Sequence, residues 1–347
     1  MAITGGGTGA ISELLRVPGA SATLIEALVP YATESLADFL GQQSPQSCSE
    51  QTARAMAMAA YMRAMKYKPA INHQHLLGVG CTAALTTNRQ RRGEVKAFLA
   101  IQSWRETRIA RLNFGEIEGS RNAEEKLVEH FVLLNLARAS GIEATPIEID
   151  QTVELAQTPP EWPDILGPTL VHTGSAPANL VIFPGAFNPM HHGHREMIQI
   201  AESRYNQPVI LEICIHNVDK LPLDFKEIRR RISLIDHSQP VTFSNAPRFA
   251  EKSLLFPGAT FIVGTDTIKR IADLRYYTGE TELGQILGLF EQQKTRFLVF
   301  SRDTGQGVEE LKDLVLPDKL KQLCQAIPAS EFLMNISSTQ LRETHED

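Results

Sequence analysis

Two clusters of residues in this chain have the types and spacing to do chemistry. The first is Phe183-Pro-Gly-Ala-Phe-Asn-Pro-Met-His191-His192-Gly193-His194. His191 and His194 are three residues apart, so on a helix they lie about one turn apart and face the same side. Imidazoles can donate to phosphate oxygens without the full desolvation cost of a permanent cation. Gly185 and Gly193 would let backbone approach a ligand closely, with Phe187 and Asn188 in the turn between them. The second cluster is Ile336-Ser337-Ser338-Thr339-Gln340-Leu341-Arg342. Ser337 and Ser338 read as caps opening a short helix, where unpaired backbone N–H groups favour an anion. Arg342 follows Ser338 by four residues, so its guanidinium can return to the same ligand in a forked geometry. Together the clusters describe a grip on a polyphosphate. No other ligand type stands beside the histidines, so no metal held by protein side chains alone is expected.

These residues need a scaffold, and the pattern supplies one. Leu180 to Phe183 reads as a buried strand, Pro184 to His191 as a turn, and a helix follows to about Arg204. Further strands are expected at Pro208 to Ile215, Thr260 to Val263 and Arg296 to Phe300, with a basic helix from Phe225 to Leu234. Strands joined by helices imply a doubly wound, mainly parallel sheet, whose ligands sit at the C-terminal strand ends. The first turn of the helix entered by His191 is where phosphate would be favoured.

The N-terminal half also alternates. Ser49 precedes a helix from Glu50 to Tyr67, Val95 to Ile101 and Arg108 to Phe114 read as strands, and Asn122 to Ser140 reads as a helix stopped by Gly141. This predicts an α/β domain. Between the halves, prolines 146, 159, 160, 163, 168 and 177 mark a linker or an extended wrap. The expected organisation is a domain over 1–144, a Pro-rich segment over 145–178 and a second domain over 179–347.

Bulk properties narrow the function classes. The chain has 347 residues and a formal net charge of −6, which argues against nonspecific nucleic-acid binding. Four scattered cysteines without a CxxC pair suggest reduced thiols rather than zinc or disulfides. No apolar run reaches the roughly 20 residues of a membrane helix, and Met1 to Ala10 lacks the cationic stretch of a signal peptide. A cytoplasmic protein with small-molecule nucleotide partners, no nucleic acid and no membrane is expected; an oligomer of identical chains stays open.

At this point the two clusters resemble the HxGH nucleotidyltransferase superfamily over about Leu180 to Glu343. The GxFNPxHxGH and ISSTxxR pairing is similar to nicotinamide mononucleotide and nicotinate mononucleotide adenylyltransferases. The resemblance implies a Rossmann-like domain in which an acceptor phosphate attacks the α-phosphorus of ATP and pyrophosphate leaves, with Mg²⁺ bridging phosphates. It implies catalytic roles for His191, His194 and Arg342, and ATP contacts from Gly185, Phe187, Asn188, Gly193, Ile336, Ser337, Ser338 and Thr339. Lys220, Arg231, Asp266, Tyr277 and Arg302 fall where such enzymes contact phosphate or the second substrate. The usual family tryptophan after the third strand is absent. Solvated surfaces for Lys220 and Arg231, a cap role for Asp266, a core role for Tyr277 and a plain strand-end charge for Arg302 remain open.

The N-terminal half resembles the CinA C-terminal family, which includes nicotinamide mononucleotide deamidases. Thr4-Gly-Gly-Gly-Thr8-Gly9, Val29-Pro-Tyr31, Gln51-Thr-Ala-Arg, Gly78-Val-Gly-Cys-Thr-Ala and Gly119-Ser-Arg121 carry the likeness. The deamidases use a serine nucleophile where Thr4 stands, and a lysine where Leu36 stands. A hydroxyl without a base has no obvious activation. The resemblance therefore implies a catalytically inactive domain whose pocket persists around Thr4, Tyr31 and Arg121. A buried structural Tyr31 and a surface Arg121 are the alternatives. The Gly5 to Gly9 loop lacks the P-loop Lys-Ser/Thr pair and reads as a tight turn. Relatives carry a helix and a strand ahead of this loop, so either the fold is trimmed or the first residue is placed late.

Three function classes follow. The first is an adenylyltransferase acting on a mononucleotide, or the same chemistry on a cytidylyl or pantetheine-phosphate type acceptor. The second is a hydrolase deamidating nicotinamide mononucleotide. The third is a ligand-binding or scaffold role for the N-terminal half.

Overall fold

The computed structural model describes residues 1–87, 94–114, 120–143, 149–175, 177–216, 221–305 and 307–333. The chain divides into two compact units, Met1–Pro160 with Asp219–Glu227, and Glu161–Val218 with Ile228–Asp347.

The first unit contains β1 (Ala2–Thr4), α1 (Gly9–Arg16), α2 (Thr33–Leu40), α3 (Glu50–Tyr67), β2 (Gly78–Ala84), β3 (Lys96–Gln102), β4 (Glu106–Leu112), α4 (Arg121–Ala139) and β5 (Gln151–Gln157). The strands form one mixed sheet in the order β1-β2-β3-β4-β5. Only β1 runs parallel to its neighbour; β2 to β5 are antiparallel. Ser49 caps α3 as its sequence suggests, its Oγ accepting the Thr52 N–H at 3.1 Å. Ala53, Met56, Ala57, Ala60, Tyr61 and Ala64 form the buried stripe of α3.

That helix lies directly on β2. A Cβ on Gly78 would stand 2.1 Å from the Ala57 carbonyl oxygen, and one on Gly80 2.3 Å from that of Ala53. The alternate residues Val79, Cys81 and Ala83 face the other core, with Ala10, Val128, Phe131 and Val132. A strand buried on both faces shows no polar–apolar alternation, which is why β2 escapes a period-two reading. The short β1 escapes it too. The stretch 151–157, read from sequence as Pro-rich segment, forms edge strand β5, with residues Thr152 to Leu155 exposed. Residues 219–227 group with this unit, a return that the sequence pattern does not anticipate. Asp224 there accepts from Arg54 Nε at 3.0 Å, and the Phe225 N–H donates to Thr107 Oγ1 at 3.1 Å.

The second unit holds β6 (Val181–Pro184), α5 (His192–Tyr205), β7 (Val209–Cys214), α6 (Phe225–Ser233, whose first three residues group with the first unit), β8 (Val241–Ser244), α7 (Phe249–Leu255), β9 (Thr260–Gly264), α8 (Thr265–Ala272), α9 (Glu280–Gln292), β10 (Arg296–Phe300), the short β11 (Arg302–Asp303) and β12 (Val308–Glu309), α10 (Asp318–Gln322) and β13 (Cys324–Ile327). Its six-stranded sheet has the order β13-β10-β9-β6-β7-β8, with every pair parallel. The chain starts at β6, winds outward through β7 and β8, then crosses to β9 on the other side of β6. The winding direction therefore reverses between β6 and β9, and the crevice at their C-terminal ends is where such sheets take ligands.

The Pro-rich segment also wraps an edge of this unit. The Thr173 N–H donates to Phe243 O at 2.8 Å and its carbonyl accepts from Thr242 Oγ1 at 2.7 Å. Asn245 Nδ2 donates to Thr169 O at 2.7 Å, while its Oδ1 accepts from the Val171 N–H at 2.8 Å. Trp162 packs on Phe243 with centroids 5.0 Å apart. These bonds cover the outer edge of β8, which would otherwise present unpaired backbone. The four-residue strands β8 and β13 carry too little sequence pattern to be read alone.

Candidate functional site

The loop after β6 carries the histidines. Its first N–H, from Gly185, donates to the Glu212 carbonyl of β7 at 3.0 Å. Phe187 then adopts φ 45° and turns its ring inward, where it is 1% exposed. A Cβ on Gly185 would stand 2.7 Å from that ring. Gly185 thus makes room for Phe187, a role different from the ligand approach expected of it. The Phe187 ring packs edge-on against His194 at 5.2 Å and Phe183 at 5.3 Å. Phe187 therefore supports a histidine, and its ring has no free face for a nucleotide.

His191 is the N-cap of α5 and His194 its third residue. The His191 N–H donates to His194 Nδ1 at 3.2 Å, and the two rings stack at 3.7 Å. An Nδ1 that accepts a backbone proton carries none itself, so the neutral tautomer of His194 holds its hydrogen on Nε2. Burial, and next the neighbouring His191, push the His194 pKa down to about 4; burial also lowers that of His191. Both imidazoles are therefore uncharged at neutral pH. The buried Nδ1 of His191 has no partner among the described residues. Gly193 is buried, while His192 turns outward with its side chain 83% exposed. The result is two neutral ring donors on a helix N-terminus whose backbone dipole favours an anion.

The remaining candidates sort by position. Arg231 Nη1 donates to Ala186 O at 3.2 Å, and the Arg230 guanidinium donates to Asn188 Oδ1. Both arginines thus hold the histidine loop, and Asn188 is engaged from α6. Arg230 was not among the residues singled out by sequence; the only signal was the run Arg229-Arg230-Arg231. Asp266, in the first turn of α8, pairs with Arg302 of β11 at 2.8 Å, each about half exposed. Their loops follow β9 and β10, on the far side of the switch point from β7. The Tyr277 hydroxyl donates to Ile271 O at 2.7 Å and its ring packs on the core, which favours the core role over base stacking. Lys220, Ile336, Ser337, Ser338, Thr339 and Arg342 lie outside the described residues.

One buried pair escaped sequence reading. Glu212 on β7 and Lys252 on α7 meet at 2.7 Å with side chains 1% and 5% exposed, and Ser244 donates to the same carboxylate. A glutamate inside the apolar run Val-Ile-Leu-Glu-Ile-Cys-Ile was the available clue. Burial pushes the thiol of Cys214 up to about 11 and that of Cys324 up to about 12, so neither offers a ready thiolate.

The N-terminal candidates lie in the first unit. Thr4 is buried and its hydroxyl donates to Pro30 O at 2.9 Å. Leu36 is buried in an apolar cluster with Ala2, Leu40, Met56 and Ala59. No base therefore stands in the lysine's place. Tyr31 is 68% exposed, which overturns the buried alternative for it. Arg121 donates from Nη1 to Thr86 O and from Nη2 to Gly5 O, both at 3.1 Å. Tyr31, Arg121 and the glycine loop border a common cavity of about 330 Å³.

Comparison with known proteins assigns the second unit. Residues 182–344 match the cytidylyltransferase-like family, and this region is a cytidylyltransferase-like nucleotidyltransferase domain. A solved structure, a competence-damaged protein (CinA) superfamily protein from Escherichia coli, is similar to part of the chain at 18% identity, covering 40% of this chain and 77% of that one, with a TM-score of 0.30. A search of curated protein sequences returns no match.

Proposed function

We propose that the C-terminal domain transfers an adenylyl group from ATP to a mononucleotide acceptor, nicotinamide mononucleotide foremost, giving a dinucleotide such as NAD and pyrophosphate. The observation that supports this best is the pair of uncharged imidazoles on the N-terminus of α5, beside the switch point of a parallel sheet. An acceptor phosphate oxygen forms the new bond to the α-phosphorus, and the bond from that phosphorus to the pyrophosphate oxygen breaks. No protein nucleophile is required; positioning and charge stabilisation suffice. His194 donates from Nε2–H to a phosphate oxygen, His191 donates beside it, and the free N–H groups of α5 add their dipole. We assign the second grip on the triphosphate to Ser337, Ser338 and Arg342 with Ile336 and Thr339, all outside the described residues, on the resemblance of their motif. We assign Asp266 and Arg302 to the acceptor, together with Lys220, which lies outside the described residues.

Among the described residues no group of three or more His, Cys, Asp or Glu side chains could hold a metal. We read the cofactor as Mg²⁺ carried in on the triphosphate, where it would supply charge neutralisation. No helix of the described residues is long and apolar enough to cross a membrane.

The test is pyrophosphate release from ATP, Mg²⁺ and a panel of mononucleotide and phosphorylated-alcohol acceptors. Turnover with nicotinamide mononucleotide, abolished in His191→Ala, is expected; silence across the panel refutes the proposal. The cytidylyltransferase-like match favours a second donor, so CTP is run beside ATP. The N-terminal unit is read as a binding module without hydrolysis, on the engaged Thr4 and the buried Leu36. Ammonia release that vanished in Thr4→Ala would overturn that reading.

A further inference from the structure

The short hairpin of β11 and β12 meets α8 in a pattern of four charges. Asp266 and Lys269 are three residues apart on α8, so they share a face of that helix about one turn apart. Asp266 pairs with Arg302 of β11 at 2.8 Å, and Lys269 Nζ donates to Glu309 Oε1 of β12 at 2.8 Å. Arg302 and Glu309 are opposite one another in the hairpin register. Directly opposed residues of an antiparallel pair set their side chains on one face. The helix thus presents minus then plus, and the hairpin plus then minus. Sliding the hairpin one turn along α8 would bring Arg302 to Lys269, like charge to like, so the pattern admits one seating.

The two pairs are not equal. Glu309 is the most sheltered of the four side chains, 24% exposed. Burial would raise its carboxyl, and the Lys269 ammonium outweighs burial and holds it below the usual carboxylate range. The root of the hairpin is fixed as well, because the buried Ser301 donates from Oγ to Ile327 O of β13 at 2.7 Å. Its turn closes on itself, with the Thr304 hydroxyl and N–H both donating to Gly307 O, at 2.9 and 3.0 Å. Arg302 therefore stands on a braced hairpin just past the C-terminal end of β10, the end at which a parallel sheet takes its ligands.

We propose that Lys269 and Glu309 are positioning residues, whose ion pair holds the β11–β12 hairpin on α8 and so keeps Arg302 in place for the phosphate of the acceptor. This rests on the assignment of Arg302 to the acceptor in the transfer reading above. A phosphate monoester meets a guanidinium in a fork of two hydrogen bonds, which draws Arg302 from Asp266 and removes one of the two tethers. The Lys269–Glu309 tether survives that exchange, and Arg302 stays aimed without relying on Asp266.

The test is NMR titration of the full chain with nicotinamide mononucleotide, read at the Nε–H of Arg302 and at the backbone amides of β11, with pyrophosphate release measured alongside. A saturable shift at Arg302 is expected in the wild type. Glu309→Gln and Lys269→Met should each weaken binding about threefold, and Lys269→Arg, which keeps the charge, should lose less than Lys269→Met. In an Arg302→Ala background, Glu309→Gln should weaken binding no further, because its effect passes through Arg302. A merely structural role would move both backgrounds alike. The proposal is overturned by no shift at Arg302, by equal affinity in Glu309→Gln, or by the same loss in the Arg302→Ala background. Turnover without a shift at Arg302 overturns the positioning role alone, and a shift without turnover overturns adenylyl transfer alone.

Discussion

His194 should remain uncharged far below the pH at which an ordinary imidazole takes a proton. The cause is its place under Phe187 and against His191, which moves its pKa from 6.5 to about 4. At pH 5 an imidazole of pKa 6.5 is only about 3% neutral, whereas one of pKa 4 is about nine-tenths neutral. The same shift links to stability. Because the folded pKa is the lower, the unfolded chain binds a proton between pH 6.5 and 4 that the folded chain refuses. Stability therefore falls as pH drops through that window, by about 2 kcal/mol from pH 7 to pH 5 for this one group, and levels off below pH 4. The perturbation is His194→Gln, which retains an acceptor and a donor but cannot titrate. The assay is ¹⁵N NMR of the histidine rings from pH 7.5 to 4.5, with urea unfolding of both proteins at pH 7 and pH 5. The wild type should show the Nε2–H tautomer throughout, and should lose about 2 kcal/mol more than the variant on acidification. A His194 midpoint near 6.5, or the Nδ1–H tautomer, would refute the argument from burial and the His191 N–H.

Four further outcomes follow from the packing and the pairs. Gly185→Ala puts a methyl 2.7 Å from the Phe187 ring, so a loss of about 1–3 kcal/mol in urea unfolding is expected, with activity falling as His194 loses its support. Lys252→Met strands the buried Glu212 carboxylate and should cost about 3–5 kcal/mol, while the double change with Glu212→Leu should recover most of it. Arg302→Ala removes a half-exposed pair worth about 0–1 kcal/mol, so thermal stability should barely change while the acceptor KM rises. Gly80→Ala drives a methyl into the Ala53 carbonyl of α3 and should unfold the first unit, read by loss of far-UV circular dichroism.

Much of the scaffold was legible because its signals are local. The Ser49 cap, the Glu50 to Tyr67 span of α3 and the Gly141 stop depend on residues within a turn or two, and the structure places them as the sequence suggests. The strands β6, β7, β9 and β10, central in the sheet and almost wholly apolar, declare themselves by composition. Strands β1, β2, β5, β8 and β13 did not, because a short, doubly buried or exposed edge strand has no periodic signature.

For the site, the sequence by itself determined the histidine spacing, the turn that carries it and the helix it enters, since each is written in consecutive residues. Only the tertiary structure decided what those residues do. It made Gly185 a space for Phe187, Phe187 a prop for His194, Arg230 and Arg231 braces of the loop, and Asp266 the partner of Arg302. It also filled the N-terminal glycine loop with Glu125, 117 residues away in the chain. Charge state, tautomer and occupancy depend on which groups are brought within hydrogen-bond distance and how much water is excluded around them. Those are properties of through-space neighbours, and spacing along a chain does not encode them.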